Sequence, residues 1–197
     1  MANTGEFRSE ISAFAPLRNP HPVTYATLTQ HIQSRAVFWG TFFESLAGMT
    51  ELRNPSMSMF RPYVPDIAGF IEKGDRPGQS CVCTGKIAHR GESTLVGSFN
   101  YLKKLVPEER WGDIKMTMIA PPWYHLRYVE GKAYPKEVYA SDEEYFADIA
   151  KAYRVELDIL YEAGVRNVQI DDPNFACEFC ECFSVLGMSV LLDFQGR

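Results

Sequence analysis

The order of periodic segments along the chain predicts an α/β fold. Three short runs rich in β-branched and other apolar residues read as strands: CVCTGKI at 81–87, DIKMTMI at 113–119 and VRNVQI at 165–170. Between them lie two segments with apolar residues at helical spacing. Strand, helix, strand, helix, strand in that order predicts parallel pairing through right-handed crossovers, because a strand can rejoin its sheet in the same direction only through a long return element.

Pro20, Pro22, Pro55, Pro62, Pro65, Pro77, Pro121 and Pro122 punctuate the chain into short units, with no internal repeat and no low-complexity linker. YATLTQHIQSRAVFWGTFFESL, 25–46, is expected to hold one helix or two, and MFRPYVPDIAGFIEKG a turn and a short helix that stops at Gly74. Ser93 is a hydroxyl cap for a helix running to Leu105, with Leu95, Phe99, Leu102 and Leu105 on one face. The clearest helix starts at a capping box made by Ser141 and Glu144. It repeats Phe146, Ile149, Tyr153, Leu157 and Leu160 on one stripe and ends at Gly164.

With 197 residues, 46% of them hydrophobic and 13% aromatic, the chain can bury a core, which places it among globular rather than disordered sequences. A net charge of -5 with Lys and Arg scattered singly offers no basic stripe, which argues against nucleic acid as a partner. The N-terminus MANTGEFRSEISAFAPL lacks the basic region and apolar run of a secretory signal, and no segment stays apolar for the roughly 18 residues of a membrane span. A cytoplasmic protein with reduced cysteines is expected. Five cysteines, an odd number, fit free thiols or metal ligands better than a disulfide framework.

Ligands of parallel α/β folds sit beyond the carboxyl ends of the strands. After VRNVQI come Asp171, Asp172 and Pro173, and the proline biases Asp172 toward extended backbone, so Asp171 can face a site rather than start a helix. An Asp in this place can equally cap a following helix. After DIKMTMI comes APPWYHLRY, whose Trp123, His125 and Arg127 suit a planar, anionic ligand through stacking and charge-assisted hydrogen bonds. The bland alternative is that these aromatics pack against neighbouring helices. Lys86, near the end of CVCTGKI, could meet a carboxylate. Cys177, Cys180 and Cys182 have the spacing C-x2-C-x-C, and Cys81 with Cys83 could complete four thiolates for zinc. The spacing is weak for that purpose, so incidental reduced thiols are the expectation.

YPKEVYASDEEYFADIAKAYRVELDILYEAGVRNVQIDDP, with its helix, strand and acid-acid-proline unit, resembles the catalytic C-terminal barrel of cobalamin-independent methionine synthases, in the superfamily that includes uroporphyrinogen decarboxylase. MFRPYVPDIAGF, CVCTGKI and IKMTMIAPPWYHLRY resemble the preceding segments, so the likeness covers roughly residues 50 to 173. The resemblance implies the first half of a (β/α)8 TIM barrel, a single incomplete domain with 175–197 as a divergent tail. It implies methyl transfer from 5-methyltetrahydrofolate to a thiol such as homocysteine, with Asp171 on the substrate's amino group and Trp123, His125 and Arg127 near folate. Zinc activates the thiol in that family, but the chain ends at Arg197 before any position that could inherit its ligands. Little or no activity is therefore expected of this chain, and unpaired barrel edges are expected to favour self-association. The rival readings are a non-catalytic binding or interaction remnant and a zinc-thiolate module built from the C-terminal cysteines.

Overall fold

A computed structural model describes residues 42–171. Among the described residues, four strands and four α-helices follow one another. They are β1 (Leu46–Arg53), α1 (Pro65–Glu72), β2 (Gln79–His89), α2 (Thr94–Lys103), β3 (Lys115–Ile119), α3 (Trp123–Leu126), α4 (Asp142–Glu162) and β4 (Asn167–Asp171). Short 3-10 turns at Phe42–Ser45, Met57–Met59 and Glu108–Asp113 link them. The architecture is mixed α/β with two two-stranded sheets, β1–β2 and β3–β4.

The second sheet follows the predicted crossover. β3 and β4 pair in parallel from Lys115 opposite Asn167 to Ile119 opposite Asp171, with α4 as the connection. Phe146, Ile149, Tyr153, Leu157 and Leu160 form its buried stripe, as their spacing requires. Ser141 Oγ accepts the Glu144 amide at 3.4 Å, while the Glu144 carboxylate reaches back to the Ala140 amide at 3.2 Å. The reciprocal box is thus closed one residue before the cap. The expected strand 113–119 begins at Lys115 because Asp113 ends a 3-10 turn, and β4 begins two residues later than expected, at Asn167. β4 is not fully buried: Asn167 and Gln169 are exposed, and Val168 and Ile170 are half-buried.

The first sheet departs from the expected topology. The helix or helices expected over 25–46 lie mostly outside the described residues, but Phe42–Ser45 is a 3-10 turn and Leu46 opens a strand. β1 runs antiparallel to β2, from Leu46 opposite His89 to Arg53 opposite Gln79. The physical reason lies in the connection: the Asn54 amide bonds the Gly78 carbonyl at 2.8 Å, which closes 54–78 into a hairpin loop with α1 inside it rather than a crossover. A bulge between Ala47 and Met49 accommodates Gly48 at φ +78°. A Cβ there would lie 2.6 Å from the Gly85 carbonyl oxygen and 2.4 Å from that of Lys86, so the close approach of the two strands requires glycine. Leu105, expected on the buried face of α2, lies beyond the helix end and is exposed, whereas Leu95, Phe99 and Leu102 are buried as expected.

One carboxylate joins these pieces. Glu156 of α4 is buried, its Oε2 2.6 Å from His89 Nε2 at the end of β2 and its Oε1 2.5 Å from Ser93 Oγ. The Gly91 amide donates to His89 Nδ1 at 3.0 Å, which leaves the ring proton on Nε2, where it is donated to Glu156. Ser93 donates its hydroxyl to Glu156 and accepts the Leu95 and Val96 amides, so the cap of α2 is oriented by the same carboxylate. Glu156→Ala is expected to leave both donors unpaired and to cost about 3 kcal/mol of stability, with a smaller loss for Glu156→Gln, read from urea unfolding midpoints.

Candidate functional site

The loop after β3 is short because Pro121 and Pro122 cannot extend a ladder, and the chain turns at once into α3. The Ala120 amide bonds the Asp171 carbonyl at 3.0 Å, continuing the β3–β4 register by one step. Asp171 and the start of the APPWYHLRY segment therefore share the carboxyl rim of this sheet. Asp171 is half-buried, and its carboxylate accepts a hydrogen bond from the Gln169 side-chain amide.

Trp123, His125 and Arg127 come together within little more than one helical turn, but their side chains are turned inward, at 2%, 7% and 3% exposure. Arg127 bonds Asp66 of α1 at 2.7 Å and Ser80 Oγ of β2 at 3.4 Å. Its guanidinium lies 4.5 Å from the Trp123 ring centroid and 5.2 Å from that of Phe60. In this setting Arg127 is a tie between α1, α3 and β2, with its charge offset by Asp66 and sandwiched between two aromatic faces.

His125 is the centre of a polar cluster inside an aromatic box. Its Nε2 lies 3.1 Å from Asp142 Oδ1, the same oxygen that accepts the Tyr134 hydroxyl. Tyr134, Tyr145 and Phe146 surround the imidazole at centroid distances of 6.0, 6.1 and 5.6 Å. Burial holds the His125 pKa below its usual range; Asp142 opposes that shift and Arg61 adds to it. Burial also pushes the Tyr134 hydroxyl up, and its bond to Asp142 adds to the effect, so it remains a donor. Lys86 meets this box through Tyr139: its Nζ sits 4.0 Å over the Tyr139 ring, which stands edge-on to Tyr134 at 5.8 Å. The Tyr139 hydroxyl accepts the Ile87 amide at 2.7 Å and donates to Asp148 at 3.0 Å.

Asp142, Tyr134 and Arg61 are the site residues that sequence reasoning missed. Asp142 reads as an ordinary acid in the first turn of a helix, and nothing in the spacing of Arg61 and Tyr134 links them to His125. Their union is a product of tertiary packing.

The described residues do not fit a zinc centre. Among them, no three His, Cys, Asp or Glu side chains gather as a metal site. Cys81 and Cys83 are buried, burial pushes both thiols up, and Cys83 donates to the Gly85 carbonyl at 3.1 Å, so neither is poised as a thiolate ligand. Cys177, Cys180 and Cys182 lie outside the described residues. Among the described residues, no helix is long and apolar enough to cross a membrane.

The chain is 26% identical over 118 residues to the uncharacterized protein YxjH of Bacillus subtilis (strain 168). That match takes in 60% of this chain and 29% of its relative, so the chain spans well under two thirds of the relative's length. No family model matches the chain, and no solved structure matches it.

His125 is expected to titrate below about 6.5 when followed by NMR. Because its folded pKa is lower than its unfolded one, the unfolded state binds the extra proton first. Its contribution is neutral above about pH 6.5 and destabilising as pH falls below that value. Asp142→Asn removes the charge that supports the imidazolium and should lower the His125 pKa further.

Proposed function

We propose that this chain is a methionine-synthase-like methyltransferase domain, built as roughly the first half of a (β/α)8 barrel and inactive as a lone chain. The observation that carries the reading is the parallel β3–β4 pair, whose carboxyl rim puts Asp171 beside the APPWYHLRY segment. That is where a parallel α/β fold places ligands. The resemblance over roughly residues 50 to 173 supports the same reading.

In this reading Asp171 receives the ammonium group of an amino-acid thiol such as homocysteine, and 5-methyltetrahydrofolate approaches from the Trp123 side. The reaction would form a sulfur–methyl bond and break the nitrogen–methyl bond of the folate, with the electron pair leaving on nitrogen. It requires a thiolate nucleophile. The resemblance assigns its stabilisation to zinc ligands that no position of this sequence matches, which is why turnover is not expected.

The inward burial of Trp123, His125 and Arg127 favours a second reading, a non-catalytic binding module that retains one wall of the pocket. The two readings separate in a single set of measurements on the full chain. Under the first, isothermal titration detects homocysteine binding that Asp171→Ala weakens at least about tenfold, the scale of one lost charge-assisted hydrogen bond. Methionine formation from 5-methyltetrahydrofolate stays at background. Homocysteine affinity unchanged by Asp171→Ala, or no detectable affinity, removes the first reading. Methionine formation that Asp171→Ala abolishes would restore an active enzyme.

A further inference from the structure

The face of the His125 cluster carries a cation that the expected ligand set did not include. Residues 59–61 run alongside 127–129: Phe60 and Tyr128 form an antiparallel bridge, the Arg61 amide bonds the Arg127 carbonyl at 2.8 Å, and the Val129 amide bonds the Met59 carbonyl at 2.9 Å. This pairing fixes Arg61 next to the segment that bears His125. The two guanidiniums of this corner then have opposite fates. Arg127 is buried and takes Asp66. Arg61 is half-buried, and among the described residues no carboxylate lies within ion-pairing distance of it.

Arg61 is also held in place. Its Nε donates to the Tyr128 carbonyl, and its Nη1 bonds the Tyr63 hydroxyl at 3.0 Å. Tyr63 is 64% exposed, so this end of the guanidinium faces the solvent margin of the cluster. A guanidinium anchored through Nε and one terminal nitrogen keeps the donors of the other terminal nitrogen, and its rigid fork is shaped for the paired oxygens of an oxyanion. Anchoring in advance removes much of the rotamer entropy that an arginine otherwise loses on binding. The Arg61 charge is felt at His125, where it opposes protonation of the ring, and Asp142 already has one oxygen committed to both Tyr134 and His125.

We propose that Arg61 and Tyr63 form an oxyanion-docking site at the margin of the His125 cluster, taking a carboxylate or phosphate group of a ligand. The inference names a charge class and no reaction, so it stands or falls apart from the methyl-transfer reading. The test uses the full chain with glutarate and, separately, inorganic phosphate, at constant ionic strength, followed by NMR at the Arg61 Nε–H and His125 Cε1–H signals. At least one anion should shift both signals saturably and raise the His125 pKa, because an anion on Arg61 cancels the charge that opposes ring protonation. A response to glutarate alone assigns a carboxylate, and one to phosphate alone assigns a phosphate. Arg61→Gln should weaken the response at least tenfold, Tyr63→Phe about threefold, and Arg53→Gln on the exposed hairpin strand should leave it unchanged. If Arg61→Gln fails to fold, the wild-type titration and Tyr63→Phe decide. Absence of a saturable shift with either anion, or a response that Arg61→Gln or Tyr63→Phe leaves intact, overturns the proposal.

Discussion

The buried Glu156 carboxylate is the constraint on which the arrangement of the two sheets depends. A charge removed from water must be matched by donors, and here the donors come from the end of β2 and the cap of α2, so α4 cannot shift without leaving one of them unsatisfied. The junction is reinforced beside it, where the Arg90 amide bonds the Ser45 carbonyl at 2.8 Å and ties the first turn of the described chain to the same corner. Apolar packing of Leu157 and Leu160 would hold α4 near the sheet, but it would permit many rotations. The carboxylate selects one.

Once that rotation is set, tyrosines transmit it. Tyr153 reaches the Ile119 carbonyl at 2.6 Å and Tyr145 the Tyr124 carbonyl at 3.1 Å, both from the inner stripe of α4. A phenol buries a large apolar ring yet ends in a donor, so each satisfies a backbone carbonyl at the end of β3 or within α3 that a leucine would leave bare. Tyr128 does the same across the other contact, bonding the Cys81 carbonyl and Ser80 Oγ. The aromatic box around His125 is therefore the inner layer of the scaffold as well as the wall of the cluster, and the imidazole inherits its low basicity from that layer.

The sequence made the local terms of this structure readable and the long-range ones opaque. The stripe from Phe146 to Leu160 has one periodic solution, Ser93 and Ser141 are short polar residues ahead of apolar runs, and the acid after VRNVQI sits at a strand end by position alone. Each of these follows from a few neighbouring residues. β1 was hidden because GMTELR has no clean alternation, opens on the glycine of its own bulge and sits against a hairpin partner that supplies the missing order. The site was half legible for the same reason. APPWYHLRY announces its chemistry, but whether a side chain faces a ligand or a core depends on Asp66, Asp142 and Phe60, which arrive from elsewhere in the chain.

Arginine shows how far that dependence goes. On sequence alone Arg127 is the stronger binding residue, since it stands with Trp123 and His125 after a strand, while Arg61 merely precedes the proline of a turn, Pro62. Packing exchanges the two. Burial of Arg127 requires a counter-charge, and α1 supplies Asp66. That ion pair, with the Phe60 and Trp123 faces on either side, makes it costly to redirect the guanidinium toward any ligand. Arg61 needs no such partner because water still reaches it, and the bonds that hold it use only part of its donor edge. Desolvation thus separates a structural cation from an available one directly opposite it in the antiparallel pairing of 59–61 with 127–129, and it does so through groups that no local pattern in the sequence contains.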